Sequence, residues 1–209
     1  MPAPSLLQRL RQRLFRDRIA VAKPFVFAAC LVPFALLAWD TFAETLGPDP
    51  VAALEHRSGL WALRLLLLTL AVTPLRRFTG WHKAIRFRRM LGLFAFFYAS
   101  VHLTIYTVVD LGGFWAQLLE EIVKRPYITV GFAAWLMLVP LTVTSTQGMM
   151  RRLGRRWQLL HRLVYPAALC GTLHFLWLVK ADHREPAMYV GIFTLLMVVR
   201  MPILRARAA

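Results

Sequence analysis

The sequence predicts an all-α membrane protein, a six-helix transmembrane bundle. The 209-residue chain is 58% hydrophobic and only 17% charged, and its mean hydropathy is +0.54. That is too apolar for a soluble domain of this length, so the bilayer is the expected solvent. Its apolar residues also fall into six runs separated by short polar loops. The third observation is the placement of a net charge of +16. Nucleic-acid binding needs basic residues on one exposed face, whereas here they sit in blocks between apolar runs. Such blocks are selected by anionic lipid headgroups and by membrane topology, and no nucleic-acid partner is expected.

A spanning helix needs about 20 mostly apolar residues, and the segments that qualify are 24–42, 59–75, 90–109, 128–146, 159–179 and 187–204. The first follows a basic stretch, Arg9, Arg11, Arg13, Arg16, Arg18 and Lys23. Its apolar part is long and no small-residue cleavage site follows, so it is read as a retained span and not as a signal peptide. Residues 1–23 are then a basic cytoplasmic segment, 24–204 the transmembrane domain and 205–209 a cytoplasmic tail. Nineteen Lys and Arg residues lie in the N-terminus, in 75–89, in 147–158 and in the C-terminus. Five lie on the opposite side, Arg57, Lys124, Arg125, Lys180 and Arg184, together with nine of the ten acidic residues. The positive-inside rule therefore places both termini in the cytoplasm. No internal repeat supports an inverted-repeat transporter. Cys30 and Cys170 fall within apolar runs, where thiols behave as small hydrophobes, so neither a disulfide nor a Cys-ligated metal is expected.

Ionisable groups at membrane depth are costly and mark function by default. Four stand inside apolar runs: Arg64 in the second, His102 in the third, His161 and His174 in the fifth. His56, His82 and His183 fall at helix ends or in loops and are assigned no site. The third and fifth helices both run outward. His102 lies about twelve residues from the inner start of its helix and His174 about fifteen, so the two reach similar depths. Two neutral imidazoles at one level on neighbouring helices can ligate a heme iron. Interhelical hydrogen bonds are the competing role for each. Matched depth and the nearby aromatics Phe96, Phe97, Tyr98, Tyr106, Phe175 and Trp177 favour heme.

His161, thirteen residues before His174, lies about 20 Å away along an ideal helix, a spacing suited to a second heme or a flavin near the inner face. The two side chains would be some 140° apart around that helix, so a common partner requires a kink or a π-bulge, which Pro166 can supply. Arg88, fourteen residues before His102 and nearly in phase with it, is a candidate for the propionates or iron of an inner heme, or a headgroup anchor. Arg64, about five residues inside the outer end of its helix, is placed to pair with a propionate of the outer heme. Snorkelling is its alternative.

The segments EHRSGLWALRLLLLTLAVTPLRR (55–77), RFRRMLGLFAFFYASVHLTIY (86–106), KRPYITVG (124–131) and LTVTSTQGMMRRLGRRWQLLHRLVYPAALCGTLHFLWLVK (141–180) closely resemble the MsrQ (YedZ) family. Its members are heme-binding membrane subunits of the periplasmic protein-methionine-sulfoxide reductase system, within the ferric-reductase-like transmembrane superfamily. The resemblance covers nearly the whole chain except its termini. It implies a bacterial inner-membrane protein that takes electrons from quinol or from a cytoplasmic flavin reductase and passes them to a periplasmic molybdopterin-containing methionine sulfoxide reductase subunit. It implies heme b, one or two per chain, and FMN. His102 and His174 match the family's outer heme pair, and His161 its third heme-related histidine. The basic loops (Arg76, Arg77, Lys83, Arg86, and Arg151, Arg152, Arg155, Arg156) could hold a flavin phosphate, but topology already explains them. No nucleotide-binding domain follows the sixth helix, so direct use of NAD(P)H is not expected. Two other readings stay open: a ferric or other metal reductase on the same heme core, and a non-redox transporter or assembly factor whose histidines are structural. The loop 110–127, with Trp115, Glu120 and Glu121, is a candidate docking feature.

Overall fold

A computed structural model describes residues 18–200, and every regular element among them is helical. The basic residues 9–16 and the tail 205–209 lie outside the described residues. Helix α1 (Arg18–Phe42) leads to α2 (Pro50–Thr79), and a 3-10 turn (His82–Ala84) leads to α3 (Ile85–Thr104), which widens into a π turn (Ile105–Asp110). Next come α4 (Trp115–Lys124), α5 (Pro126–Val143) and two short helices, α6 (Gln147–Leu153) and α7 (Arg155–Leu160). A second 3-10 turn (His161–Leu163), α8 (Val164–Leu178) and α9 (Arg184–Val198) complete the order.

Four helical stretches are long and apolar enough to cross a membrane: Ile19–Phe42, Pro50–Thr79, His82–Asp110 and Pro126–Val143. The chain is thus a multi-pass helical membrane protein. The last two of the six expected spans are shorter. Helices α8 and α9 have 15 residues each, about 22 Å of rise against a hydrocarbon core of about 30 Å. The fifth segment is divided because its first turn tightens to 3-10 at His161–Leu163. Before that, Gly154 adopts φ +52°, a conformation open to glycine at little cost, and so breaks the run between α6 and α7.

Helix α2 begins nine residues ahead of the apolar run that predicts it. Asp49 caps it, its carboxylate accepting the Ala52 N–H at 3.0 Å, and Pro50 occupies the first helical position, a start signal written in residue chemistry and not in hydropathy. This helix is the centre of the bundle. Leu63, Leu65, Leu66, Leu67 and Leu70 are all buried, with Leu70 fully enclosed, because α3, α8 and α9 pack around it as well as α1. The most extensive helix pairs are α2 with α3 and α5 with α8. These two hairpin-like pairs meet where α5 crosses α3, at a hydrogen bond from Trp135 Nε1 to Ser100 Oγ of 3.0 Å.

Helix α1 is attached more loosely and turns Phe25, Trp39 and Phe42 outward. Pro33 interrupts its backbone ladder by lacking an N–H. Next to that gap the fully buried Tyr98 of α3 inserts its hydroxyl. The Phe34 N–H donates to it at 2.9 Å, and it donates to Cys30 O at 2.7 Å. Tyr98→Phe is expected to cost about 1 kcal/mol, the net worth of a buried hydrogen bond, since the freed Phe34 N–H and Cys30 O can partly re-pair. A lower midpoint of thermal unfolding in detergent, with insertion unchanged, checks this.

Helix α4 lies outside the four long spans, and both of the expected docking carboxylates are paired with residues of this chain. Glu121 accepts from Arg125 Nε at 2.7 Å and from the Tyr106 hydroxyl at 3.3 Å, which ties α4 to the π turn of α3. Glu120 pairs with Lys124 one turn away, and that ammonium holds its carboxyl below the ordinary carboxylate range.

Candidate functional site

His102 lies two residues before the end of α3 and His174 four residues before the end of α8. Because α2, α3, α5 and α8 alternate in direction, these positions meet the first turns of α2 and α5 at one end of the bundle. The two imidazole rings lie 6.2 Å apart, centroid to centroid, with their planes crossed at 71°.

Each ring is held by a backbone carbonyl of a different helix. His102 Nδ1 is 2.9 Å from Glu55 O on α2, and His174 Nδ1 is 2.7 Å from Tyr127 O on α5. A carbonyl can only accept, so Nδ1 carries the proton in both rings and Nε2 is the unprotonated nitrogen. Neither Nε2 has a protein partner among the described residues. Two metal–imidazole bonds of about 2 Å each, extended to the ring centres, place the centroids of a bis-imidazole iron site roughly 6 Å apart. The spacing, the tautomers and the free nitrogens therefore fit heme iron held between the two rings.

The aromatics expected to line this pair are mostly elsewhere. Phe96 stacks on Trp135, Phe97 joins a cluster with Phe34 and Phe94, and Tyr98 and Tyr106 serve the contacts described above. Trp177 is exposed. Phe175 packs between His56 and Tyr189, and the aromatic ring beside His174 is Tyr127, at 6.4 Å. Sequence reading missed the residues of α2 and α5 that shape the site, Glu55, Ser58, Gly59, Tyr127 and Gly131. Ser58 is fully buried with its hydroxyl 3.4 Å from His102 Nδ1. The Glu55 Oε1 is buried with no hydrogen-bond partner among the described residues. The available signal was the Asp49–Pro50 start, which lengthens α2 at its N-terminal end far enough to include Glu55 and Ser58.

His161 occupies the 3-10 turn before α8. Its ring stacks on Trp157 at 3.9 Å, and its Nε2 lies 3.1 Å from Thr144 Oγ1 at the end of α5. His161 and His174 thus both meet α5, at its two ends. The chain tightens to a 3-10 turn at His161–Leu163, and Pro166 lies in the first turn of α8. Arg88 is near enough for its charge to be felt at His161 and at Arg200. Arg200 donates to Leu70 O and lies over the Tyr165 ring at 5.6 Å.

Arg64 has partners on α9 and on its own helix. Its Nε donates to the Tyr189 hydroxyl at 2.7 Å, its Nη2 lies 3.7 Å from Glu185 Oε1, and its guanidinium lies 5.2 Å from the Trp61 ring centre. His56, assigned no site from sequence, belongs to the same cluster, 3.8 Å from Glu185 Oε2.

Residues 58–172 match the family described as ferric reductase like transmembrane component. Among curated proteins, the chain is 64% identical over 185 residues to the protein-methionine-sulfoxide reductase heme-binding subunit MsrQ of Xanthomonas campestris pv. campestris (strain 8004), covering 86% of this chain and 85% of that one. It is 48% identical over 196 residues to the protein of the same name from Rhodospirillum rubrum, covering 93% of this chain and 94% of the relative. No solved structure matches.

Proposed function

The chain belongs to the family of MsrQ heme-binding subunits of protein-methionine-sulfoxide reductase, within the ferric-reductase-like transmembrane components, and we propose that it is their electron carrier across the bacterial inner membrane. In this reading His102 and His174 hold heme b, and electrons leave the protein on the periplasmic side for a molybdopterin-containing methionine sulfoxide reductase subunit that repairs oxidised envelope proteins. The observation that carries the reading is the crossed imidazole pair, 6.2 Å apart with both Nδ1 atoms spoken for.

Heme supplies a one-electron couple, and sulfoxide chemistry belongs to the partner. The chain contributes two neutral ligands of fixed tautomer, each held by a backbone carbonyl. Arg64, steadied by Tyr189 and Glu185, is the candidate for a propionate on the outer side. His161 and Arg88 are the candidates for a second heme or an FMN nearer the inner face. The donor is quinol or a cytoplasmic flavin reductase. The six-span topology, with both termini cytoplasmic, is part of the same proposal. It is supported by the charge asymmetry of the loops and by the helical run that α7, the 3-10 turn and α8 make together.

A dithionite-reduced minus oxidised spectrum of the purified protein tests this, followed by addition of reduced quinol, or of a flavin reductase with NADH. A b-type α-band that one of these donors also produces is expected. Protein from heme-replete cells that shows no Soret band would leave the histidines as structural hydrogen-bonding groups.

A further inference from the structure

The two imidazoles are captured in the same way on two different helices. On α2, the carbonyl that accepts from His102 belongs to Glu55 and the residue one turn later is Gly59. On α5, the carbonyl that accepts from His174 belongs to Tyr127 and the residue one turn later is Gly131. In an α-helix the carbonyl of residue i points along the axis toward the N–H of residue i+4, so an incoming ring that reaches that oxygen must lie across residue i+4. A Cβ on Gly131 would stand 2.7 Å from His174 Nδ1 and 2.9 Å from its Cε1. A Cβ on Gly59 would stand 3.2 Å from the same two atoms of His102. Neither glycine has a positive φ, so backbone conformation does not call for glycine at either place. The close approach of the ring does.

We propose that Gly59 and Gly131 are positioning residues for the metal-ligating nitrogens: each leaves a notch through which a backbone carbonyl takes the Nδ1 proton and turns Nε2 toward the iron. This deepens the reading above and rests on it, since it assumes that the two rings ligate heme. The tautomer of each ring is set by a carbonyl that already bonds within its helix, using the second lone pair of that oxygen. The crossing angle of the ring planes is set by the direction in which each notch opens. The Nδ1–H bonds enrich the electron density of both ligands, as outer-sphere acceptors do for ligating histidines, and so favour the ferric state. The geometry also ranks the two notches. The tighter one at Gly131 accompanies the shorter bond, 2.7 Å against 2.9 Å.

The experiment compares Gly131→Ala and Gly59→Ala with a control glycine, Gly171→Ala, in the full-length protein purified with its heme. Gly171 is on α8, three residues from His174, and a methyl there meets only Leu63 Cδ1 at 3.8 Å, an ordinary contact. Heme per protein, the low-temperature EPR spectrum of the ferric form and the midpoint potential are read for each. Near-perpendicular axial rings give a strongly anisotropic low-spin EPR signal. Gly131→Ala is expected to move that signal, to shift the potential positive as the Nδ1–H bond is lost, and to weaken heme retention about tenfold, as loss of an outer-sphere partner does. Gly59→Ala is expected to shift in the same direction by less, with heme retained. Gly171→Ala is expected to match the parent.

An unchanged EPR spectrum and potential in Gly131→Ala overturns the positioning role while leaving heme ligation intact. If Gly131→Ala loses its heme altogether, Gly59→Ala decides: a shifted signal supports the proposal, and an unchanged one overturns it. His102→Ala and His174→Ala, measured alongside, separate this from the underlying reading. Full low-spin heme in both of those variants would sink the ligation itself.

Discussion

His102→Ala and His174→Ala are each expected to abolish the low-spin heme spectrum of the purified protein while leaving it inserted and monodisperse in detergent. Each imidazole makes one carbonyl hydrogen bond, and interhelical hydrogen bonds in membranes contribute on the order of 1 kcal/mol or less. The bundle, by contrast, rests on the packing of α2 against four other helices. The fold therefore survives the loss of either ring. The iron is not expected to keep its bis-imidazole coordination, because each ring supplies one of the two nitrogens that the proposed site offers it. Pyridine hemochrome per protein measures the loss. Added imidazole supplies a second check. A ligand-sized gap left by His174→Ala should accept it and regain a low-spin spectrum, whereas a histidine with only a structural role would show neither the loss nor the recovery.

Much of this arrangement was legible in the sequence, for physical reasons that differ from element to element. The helices long enough to span follow from hydropathy, since lipid exposure forces continuous apolar runs. The depth match of His102 and His174 follows from helical rise once the direction of each helix is known, and loop charge gives the direction. What hydropathy could not give was the N-terminal extension of α2, because residues 50–58 include Glu55, His56 and Arg57, which lower the apolar average. That extension is specified by Asp49 and Pro50 instead. The carbonyl acceptors and the two glycines were also beyond reach. Backbone acceptors have no residue signature, and a glycine in an apolar run reads as a neutral spacer until its neighbour across the interface is known. The aromatic expectation was misplaced for a related reason. Proximity in sequence to a histidine on a helix scatters side chains around all faces, and Phe96, Phe97 and Tyr98 turn to α5 and α1 and not to the imidazoles.

The second large effect is expected at His161, where the partner hydroxyl fixes which ring nitrogen carries the proton. Thr144 has one hydroxyl hydrogen, and its Oγ1 lies 2.6 Å from Pro140 O, which can only accept. The hydroxyl is therefore a donor to Pro140 and an acceptor toward His161, so His161 Nε2 carries a proton. This is the tautomer opposite to that of the outer pair, where Nδ1 carries it. A heme bound at His161 through Nε2 must displace the Thr144 bond, while the Trp157 stack at 3.9 Å keeps the ring plane in place. In a protein that carries two hemes, His161→Ala is expected to reduce the count to one, with the low-spin signal of the His102 and His174 pair unchanged. Thr144→Val, which removes only the competing acceptor, is expected to retain both hemes. Heme stoichiometry and EPR on the two variants measure this. A count that stays constant in His161→Ala confines the ring to the structural role that Thr144 and Trp157 already give it, closing the 3-10 turn before α8 onto the end of α5.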